Sequence, residues 1–280
     1  MESTTKPYYL DHSHCPVTCA SYNGIVVVLL SSVAKTQMPG FDTRITIFLN
    51  SFAHRWWTLD MIVGHLESNL LQGVLALAVF YFVWFQSGEE TNSVEVTKKH
   101  QSMLCALLIC VPAVLTARAL AWGVRYRVRP IFNPDLHLHT AYSFDPSGLI
   151  GWSSFPSDHA VLFFALATGI FLVSRKAGLL LYTHAIVFVT IPRVYLGLHY
   201  PSDILVGALL GCGFGYAAKW SGLRSLVTRP AWRLQEFSPG LFHACLFSLA
   251  YETANMFDDV RHAAVQAWQV ARVLLHHLVH

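Results

Sequence analysis

Apolar residues in this chain gather into runs long enough to cross a bilayer as helices, separated by short polar segments. The clearest runs are Leu70 to Phe85, Met103 to Trp122, Ala160 to Ser174, Leu179 to Ile191 and Ile204 to Trp220. A weaker run, Ala20 to Met38, is interrupted by Lys35. With that run included, the pattern predicts an all-α, polytopic transmembrane helical bundle of about six spans.

Two other segments are amphipathic rather than uniformly apolar. From Ile45 to Leu59, apolar residues recur at helical spacing and predict a helix lying along the membrane interface. Beyond Trp220, Leu241 to Tyr251 is too short to span, and His262 to Leu278 mixes apolar with polar residues. We therefore expect a cytoplasmic tail over residues 1–19, a transmembrane domain over 20–222 with its motif core at 118–218, and a cytoplasmic or surface-lying amphipathic helical extension over 223–280.

Composition and charge also indicate a membrane protein. Hydrophobic residues make up 54% of the chain and charged residues 12%, whereas a soluble domain has about a quarter charged residues. The net charge of +3 is too small to indicate nucleic-acid binding. One face receives most of the Lys and Arg of the short loops, namely Lys98, Lys99, Arg175, Lys176, Lys219, Arg224, Arg229 and Arg233. The positive-inside rule makes that face cytoplasmic.

The segment Arg193 to Asp203, which falls on the opposite face, contains the first set of reactive side chains. Asp203 follows His199 by four residues, a spacing that places two side chains on one helical face. A carboxylate bound to one ring nitrogen fixes the tautomer and frees the other nitrogen to attack phosphorus. We therefore predict His199 as the nucleophile and Asp203 as its orienting carboxylate, with Arg193 binding the phosphate.

The segment Phe155 to His159 supplies the second set, at the start of a predicted helix. Pro156 suits the first turn, so the backbone amides that open the helix around Ser157 and Asp158 are predicted to bind an anion together with the Ser157 hydroxyl. His159 is the candidate general acid, which would protonate the leaving oxygen and later activate water. These roles predict a phosphoryl-transfer site that faces outward.

Three arginines precede this segment, at Arg125, Arg127 and Arg129. If the segment is helical, Arg125 and Arg129 lie one turn apart and reach the same phosphate, whereas Arg127 projects elsewhere. The predicted phosphate-binding residues are therefore Arg193, Arg129, Arg125, Ser157 and Asp158.

From about Arg125 to Asp203 the chain resembles the type 2 phosphatidic acid phosphatase (PAP2) superfamily. That family has a Lys followed after six residues by Arg-Pro, then Pro-Ser-Gly-His, then Ser-Arg with a downstream His and Asp. Here Arg129-Pro130, Pro156 to His159, and Arg193 with His199 and Asp203 match those motifs. The chain departs from them with Trp122 at the Lys position, Asp158 at the Gly position and Pro192 at the Ser position.

The resemblance implies a six-span bundle that hydrolyses lipid phosphates or diphosphates through a phosphohistidine, without metal or other cofactor. The expected protein is a multi-pass protein of the inner (plasma) membrane, with its site on the periplasmic or extracellular face. Its expected substrate is undecaprenyl diphosphate or a glycerolipid phosphate, and its partners are that lipid and the bilayer. Two alternatives stay open: a lipid phosphotransferase using the same phosphohistidine, and a non-hydrolytic lipid-phosphate binder or flippase.

Other polar clusters have simpler interpretations. His12, His14, Cys15 and Cys19 lack a second ligand pair at zinc-finger spacing. Asp158, His159, His199 and Asp203 could form a two-metal centre, but the extra carboxylates typical of such centres are missing. Four residues of the loop between the motifs either shape a headgroup pocket or are solvated loop residues, namely Asp135, His137, His139 and Asp145.

Overall fold

A computed structural model describes residues 39–87, 93–142 and 144–279, and in these residues all regular elements are helical. The helices are α1 (Pro39–Asn50), α2 (Trp57–Leu66), α3 (Asn69–Ser87), α4 (Ser93–Leu108), α5 (Cys110–Gly123), α6 (Asp158–Phe171), α7 (Arg175–His184), α8 (Ile191–Tyr195), α9 (Pro201–Ala217), α10 (Ser221–Phe237), α11 (Pro239–Ala254) and α12 (Asp258–Val279). The all-α prediction is confirmed. The expected first span Ala20 to Met38, and the tail with His12, His14, Cys15 and Cys19, lie outside the described residues.

Three helical stretches among the described residues are long and apolar enough to cross a membrane: Asn69–Gln86, Val94–Gly123 and Arg175–Tyr195. The last joins α7 to α8 through a π-helical turn at Ala185–Thr190. The pair α9 and α10, bent by 79°, is a fourth candidate, and α6 is a shorter apolar helix. The count of about six spans stays a prediction.

Helix α6 lies at the centre of the bundle and is buried along most of its length. Three glycines of α9, spaced four residues apart, face it at Gly207, Gly211 and Gly215. A Cβ atom on Gly211 would lie 2.3 Å from the carbonyl oxygen of Val161, so only glycine permits this approach. The close contact fixes the start of α6, where the segment Phe155 to His159 ends, beside the start of α9, where the segment Arg193 to Asp203 ends.

The chain between α5 and α6 is extended where it passes the site. The amide of Ser154 donates to the carbonyl of Arg127 at 2.9 Å, and the amide of Ile131 donates to the carbonyl of Gly197 at 2.9 Å. Gly197 has a φ of 69°, in the left-handed region that favours glycine. These contacts bring residues 125–131, 153–155 and 193–199 together at one end of the bundle.

The segment Ile45 to Leu59 differs from the predicted single interfacial helix. Helix α1 ends at Asn50, a turn follows through His54, and α2 begins at Trp57. Asn50 is buried because its amide donates to the carbonyls of His139 and Tyr195, each at 2.9 Å. The large apolar side chains exposed in this segment are Ile47, Phe48, Trp56 and Trp57, which suit an interface.

The segment after α10 also differs from the expected surface extension. The ring centre of Phe242, near the start of α11, lies 6.3 Å from the ring centre of Trp84, close to the end of α3. At the end of α11, the carbonyl of Ala254 lies against Gly73, close to the start of α3. Helix α11 therefore runs antiparallel to α3 within the core and returns the chain to the end of the bundle that holds the motifs.

Candidate active site

The motifs surround a cavity of about 570 Å³ at that end of the bundle. Its polar and charged lining residues are Glu67, Ser68, Asn69, Arg118, Arg129, Asp158, His159, Arg193, His199, Asp258, Arg261 and His262. Gly148, Leu149, Trp152 and Met256 complete the wall. Of the predicted catalytic residues, His159 and His199 line the cavity together, whereas Asp203 lies behind it.

His199 is buried in the loop between α8 and α9, and its two ring nitrogens have different surroundings. Nδ1 donates to the carbonyl oxygen of Ser154 at 2.7 Å. A carbonyl oxygen only accepts, so Nδ1 carries the proton and the lone pair is on Nε2. Nε2 lies 3.4 Å from Nη1 of Arg129. The nitrogen able to attack therefore faces a phosphate-binding side chain.

Asp203 makes different contacts from those expected. Its Oδ2 is 3.8 Å from Nδ1 of His199, beyond hydrogen-bond length. Instead, it accepts from the amide of Tyr200 at 2.8 Å, capping α9, and forms an ion pair with Arg127. Its charge still opposes the effect of burial, which lowers the pKa of His199.

Arg127, predicted to project elsewhere, does point away from the cavity and is buried. Its guanidinium bridges Asp203 and Asp42, the latter at 2.7 Å, and lies 4.2 Å from the ring centre of Tyr200. Asp42 also accepts from the hydroxyl of Ser202 at 2.6 Å. Helix α1 thus stabilises the start of α9 through this network.

Arg129 and Arg193 both line the cavity together with His199. Arg129 donates to the carbonyl of Leu198 at 2.9 Å, and Arg193 pairs with Glu67 at 3.1 Å and donates to Gln72 at 3.4 Å. The Nε atoms of both arginines are buried and have no hydrogen-bond partner among the described residues. Such donors are suited to bind the oxygens of an anion.

His159, at the start of α6, lies between two oxygen atoms. Nδ1 is 3.0 Å from Oδ1 of Asp158, and Nε2 is 2.8 Å from Oδ1 of Asn69. With the amide oxygen of Asn69 facing Nε2, both hydrogen bonds require a ring with two protons, whereas with the amide turned a neutral ring accepts from Asn69. Burial, assisted by the charge of Arg193, opposes the ring with two protons and lowers the pKa of His159 to about 3. A bound anion would offset Arg193 and favour the protonated ring.

Comparison with known proteins agrees with this geometry. Residues 102–225 match the family model described as the PAP2 superfamily. This segment, less than half of the chain, is therefore similar to the PAP2 superfamily. The matched segment includes His159, His199, Arg129, Arg193 and Asp203. Glu67, Asn69 and helices α11 and α12 lie outside it.

Two curated relatives match parts of the chain. One is the "Bacitracin transport permease protein BcrC" of Bacillus licheniformis, 49% identical over 59 residues, or 21% of this chain and 29% of the relative. The other is the "Lipid A 4'-phosphatase" of Bacteroides thetaiotaomicron, 42% identical over 66 residues, or 23% of this chain and 29% of the relative. The match thus spans less than a third of either relative. No solved structure matches the chain.

The cation expected from the first PAP2 motif is absent from the Lys position, and a neighbouring arginine of α5 lines the cavity. Trp122, at the Lys position, is 83% exposed and does not line the cavity. Arg118 lies one helical turn earlier on α5, lines the cavity and stacks over Trp152 at 5.3 Å. Arginine inside a predicted span is itself a signal of function. We missed Arg118 in the sequence because the motif spacing pointed to residue 122.

Arg125 does not have the predicted position. Residues 125–129 are extended rather than helical, so four residues of extended chain, rather than one helical turn, separate Arg125 from Arg129. Arg127 and Arg129 are buried, whereas Arg125 is exposed and does not line the cavity. Its predicted phosphate contact depended on a helix that does not form.

Ser157 and Asp158 also differ from their predicted phosphate-binding roles. Ser157 caps α6, its hydroxyl accepts from the amide of Ala160 at 3.4 Å, and the side chain is fully buried. Asp158, at the Gly position of the PAP2 motif, accepts from the amide of His159 at 3.0 Å and pairs with Arg118. Burial raises the pKa of Asp158, but the charges of His159 and Arg118 outweigh that effect and lower it well below its usual range. Its carboxylate contacts the His159 ring and the Arg118 guanidinium rather than serving as a phosphate ligand.

None of the four polar loop residues lines the cavity. The side chain of Asn133 caps its turn by accepting from the amide of Asp135, Asp145 accepts from Ser147, and the amide of His139 donates to Asn50 at 2.8 Å. Across the described residues, no group of three or more His, Cys, Asp or Glu side chains has a geometry that could hold a metal ion.

Proposed function

We propose that this chain is an integral membrane phosphatase that hydrolyses a lipid phosphate or diphosphate through a phosphohistidine on His199. The observation that carries the proposal is the tautomer of His199. The carbonyl oxygen of Ser154 accepts the hydrogen bond from Nδ1, so the proton stays on Nδ1 and the lone pair is on Nε2. Nε2 faces the cavity beside Arg129. A site that only binds phosphate has little need of an oriented nucleophile.

In the first step, Nε2 of His199 forms a bond to phosphorus while the bond from phosphorus to the leaving oxygen breaks. Arg129, Arg193 and Arg118 bind the phosphoryl oxygens and stabilise the charge that develops on them. His159 gives its Nε2 proton to the leaving oxygen. For this step, Nε2 of His159 exchanges its hydrogen bond with Asn69 for one to the substrate.

In the second step, neutral His159 takes a proton from a water molecule. The resulting hydroxide attacks phosphorus, the bond to His199 breaks and inorganic phosphate leaves. Both steps use groups already present around the cavity, and neither requires a metal ion or a redox cofactor.

Membrane placement and substrate class form the second part of the proposal. Arg224, one of the cationic loop residues, donates to Ser102 in α4 at 3.3 Å, whereas the cavity is lined by Arg118 near the other end of the α4–α5 stretch. The positive-inside rule then favours the periplasmic or extracellular face of the plasma membrane for the site. The relative named as a lipid A phosphatase supports a lipid phosphate as substrate. Undecaprenyl diphosphate and glycerolipid phosphates are the candidates.

The other relative is named as a transport permease, which favours a second candidate, a lipid-phosphate binder or flippase. One experiment separates the functions. Phosphate release is measured in detergent with EDTA from undecaprenyl diphosphate, phosphatidylglycerophosphate, phosphatidic acid and lipid A, using wild type and His199→Ala. Release that survives EDTA and vanishes in the variant supports the phosphatase. Binding without release supports the binder, and product linked to an added acceptor alcohol supports a phosphotransferase.

A further inference from the structure

Glu67, in the turn between α2 and α3, is an acidic residue placed directly against the phosphate-binding arginines. Its Oε1 lies 3.1 Å from Nη1 of Arg193. Its Oε2 is buried and has no hydrogen-bond partner among the described residues. The residue lines the cavity and lies outside the segment that matches the PAP2 family model.

The carboxylate changes the charge that the cavity offers to a ligand. Arg118 is paired with Asp158, and Arg193 is paired with Glu67. Within the described part of the chain, Arg129 is the cavity arginine that contacts backbone carbonyls and His199 rather than a carboxylate. A phosphoryl dianion thus meets one unbalanced positive charge and a carboxylate already bound to Arg193.

Two outcomes are physically open when such a dianion binds. Glu67 either leaves Arg193, or stays and takes up a proton, because two anions on one guanidinium repel each other. Leaving is opposed by packing, since Gln72 binds the same guanidinium and its amide also donates to the carbonyl of Leu66 at 2.6 Å. Staying makes Oε2, the oxygen that has no partner among the described residues, a new hydrogen-bond donor beside Arg193.

We propose that Glu67 binds the phosphoryl group in its protonated form, donating a hydrogen bond from Oε2 to a phosphoryl oxygen, so that binding of a dianion takes up one proton. The proton comes from solvent, or from the substrate when it arrives as a monoanion. The inference rests on the proposed function in taking a phosphoryl group as the ligand.

The groups that face Glu67 are Arg193 from α8, Arg129 from the extended segment and Asp158 from α6. Burial raises the pKa of Glu67, the two arginines lower it and Asp158 raises it, with a net increase. A bound dianion adds negative charge beside the carboxyl and raises the pKa further.

The rival explanation is that Glu67 only holds Arg193 in place. Sulfate distinguishes the two, because it stays a dianion throughout the range from about pH 5.5 to 8.5 in which the protein groups titrate. Its dissociation constant is measured by calorimetry on the full chain in detergent, for wild type, Glu67→Gln and the exposed control Glu236→Gln. Glutamine keeps the contact with Arg193 and donates from its amide without titrating.

For wild type and the control, we expect the dissociation constant to rise steeply with pH, by up to about tenfold per unit for each proton taken up. In Glu67→Gln, the number of protons taken up on sulfate binding, given by the slope of the logarithm of the dissociation constant against pH, should be lower by one. This variant should also bind sulfate more tightly than wild type at pH 8. An unchanged slope, or weaker binding at every pH with the same slope, overturns the proposal. Failure of wild type to bind sulfate would overturn both this inference and the phosphate site itself.

A second measurement keeps the test decisive if Glu67→Gln does not fold. Proton uptake on sulfate binding is measured in two buffers of different ionisation enthalpy with His159→Asn/His199→Asn. Uptake of about one proton in this variant supports Glu67, and its absence overturns the proposal. The variant has no nucleophile, so the result is independent of turnover.

Discussion

The carbonyl oxygen of Ser154 accepts the Nδ1 proton of His199 at 2.7 Å, a bond that the sequence pattern assigned to Asp203. Asp203 instead lies 3.8 Å from that nitrogen and is bound to Arg127 and to the amide of Tyr200. Two layers therefore hold the nucleophile: a backbone carbonyl sets its tautomer, and a buried ion pair behind it stabilises the loop.

This arrangement predicts unequal effects of two substitutions. His199→Ala should reduce kcat by about a thousandfold or more because the nucleophile is lost. Asp203→Asn should cost much less in kcat, since the Nδ1 hydrogen bond survives, but should lower the thermal unfolding midpoint because Arg127 loses a buried partner. Phosphate release and unfolding in detergent measure the two effects. Equal losses of kcat would mean that Asp203 acts directly on the ring.

The difference between pattern and structure has a physical origin in each case. Periodicity predicted the helices and the motifs predicted His159, His199, Arg129 and Arg193 because these depend on local sequence. The carbonyl of Ser154 could not be predicted, since a backbone partner has no residue-type signal. The course of α11 could not be predicted because its apolar stretch is shorter than a membrane span. Its position in the core depends on packing against α3, which is distant in sequence.

Arg118 and Arg125 provide a matched pair for testing which arginine binds phosphate. Arg118 pairs with Asp158 at the cavity wall, whereas Arg125 is exposed on the extended segment. Arg118→Gln should lower kcat/KM for phosphate release by about ten- to a hundredfold, equivalent to a charge-assisted contact of about 1.5–3 kcal/mol. Arg125→Gln should leave kcat/KM within about twofold. A larger loss of kcat/KM in Arg125→Gln than in Arg118→Gln would show that Arg125, as predicted from the sequence, binds the phosphate.

The buried His159 predicts a loss of stability in acid. Its pKa is about 3 in the folded protein against an ordinary value of 6.5. Below that ordinary value the unfolded chain takes up a proton that the folded protein does not, so stability falls as the pH decreases from about 6.5 towards 3. At pH 5 the expected loss is about 2 kcal/mol.

Thermal unfolding in detergent at pH 7.5 and pH 5 checks this prediction. The midpoint of wild type should fall more than that of His159→Asn, which lacks the titrating ring. His137→Asn, at an exposed position outside the cavity, should behave like wild type. Sulfate should reduce the acid effect because an anion in the cavity favours the protonated imidazole. Identical acid shifts in wild type and His159→Asn would contradict the assignment.

From the packing of α11 we predict that the chain beyond the matched PAP2 segment is part of the catalytic domain. Phe242, Leu246, Ala250 and Met256 are buried in the same core as α3 and α6, and residues 256–262 complete the cavity wall. Ending the chain after Phe237 should therefore prevent stable folding, because these apolar contacts are worth about 1.5–3 kcal/mol for each large side chain. Ending it after His262 should keep both the folded protein and phosphate release, since the described side chains of α12 beyond that point are exposed. Yield of monodisperse protein and turnover measure both variants. A stable, active protein ending at Phe237 would show that α11 is an accessory helix.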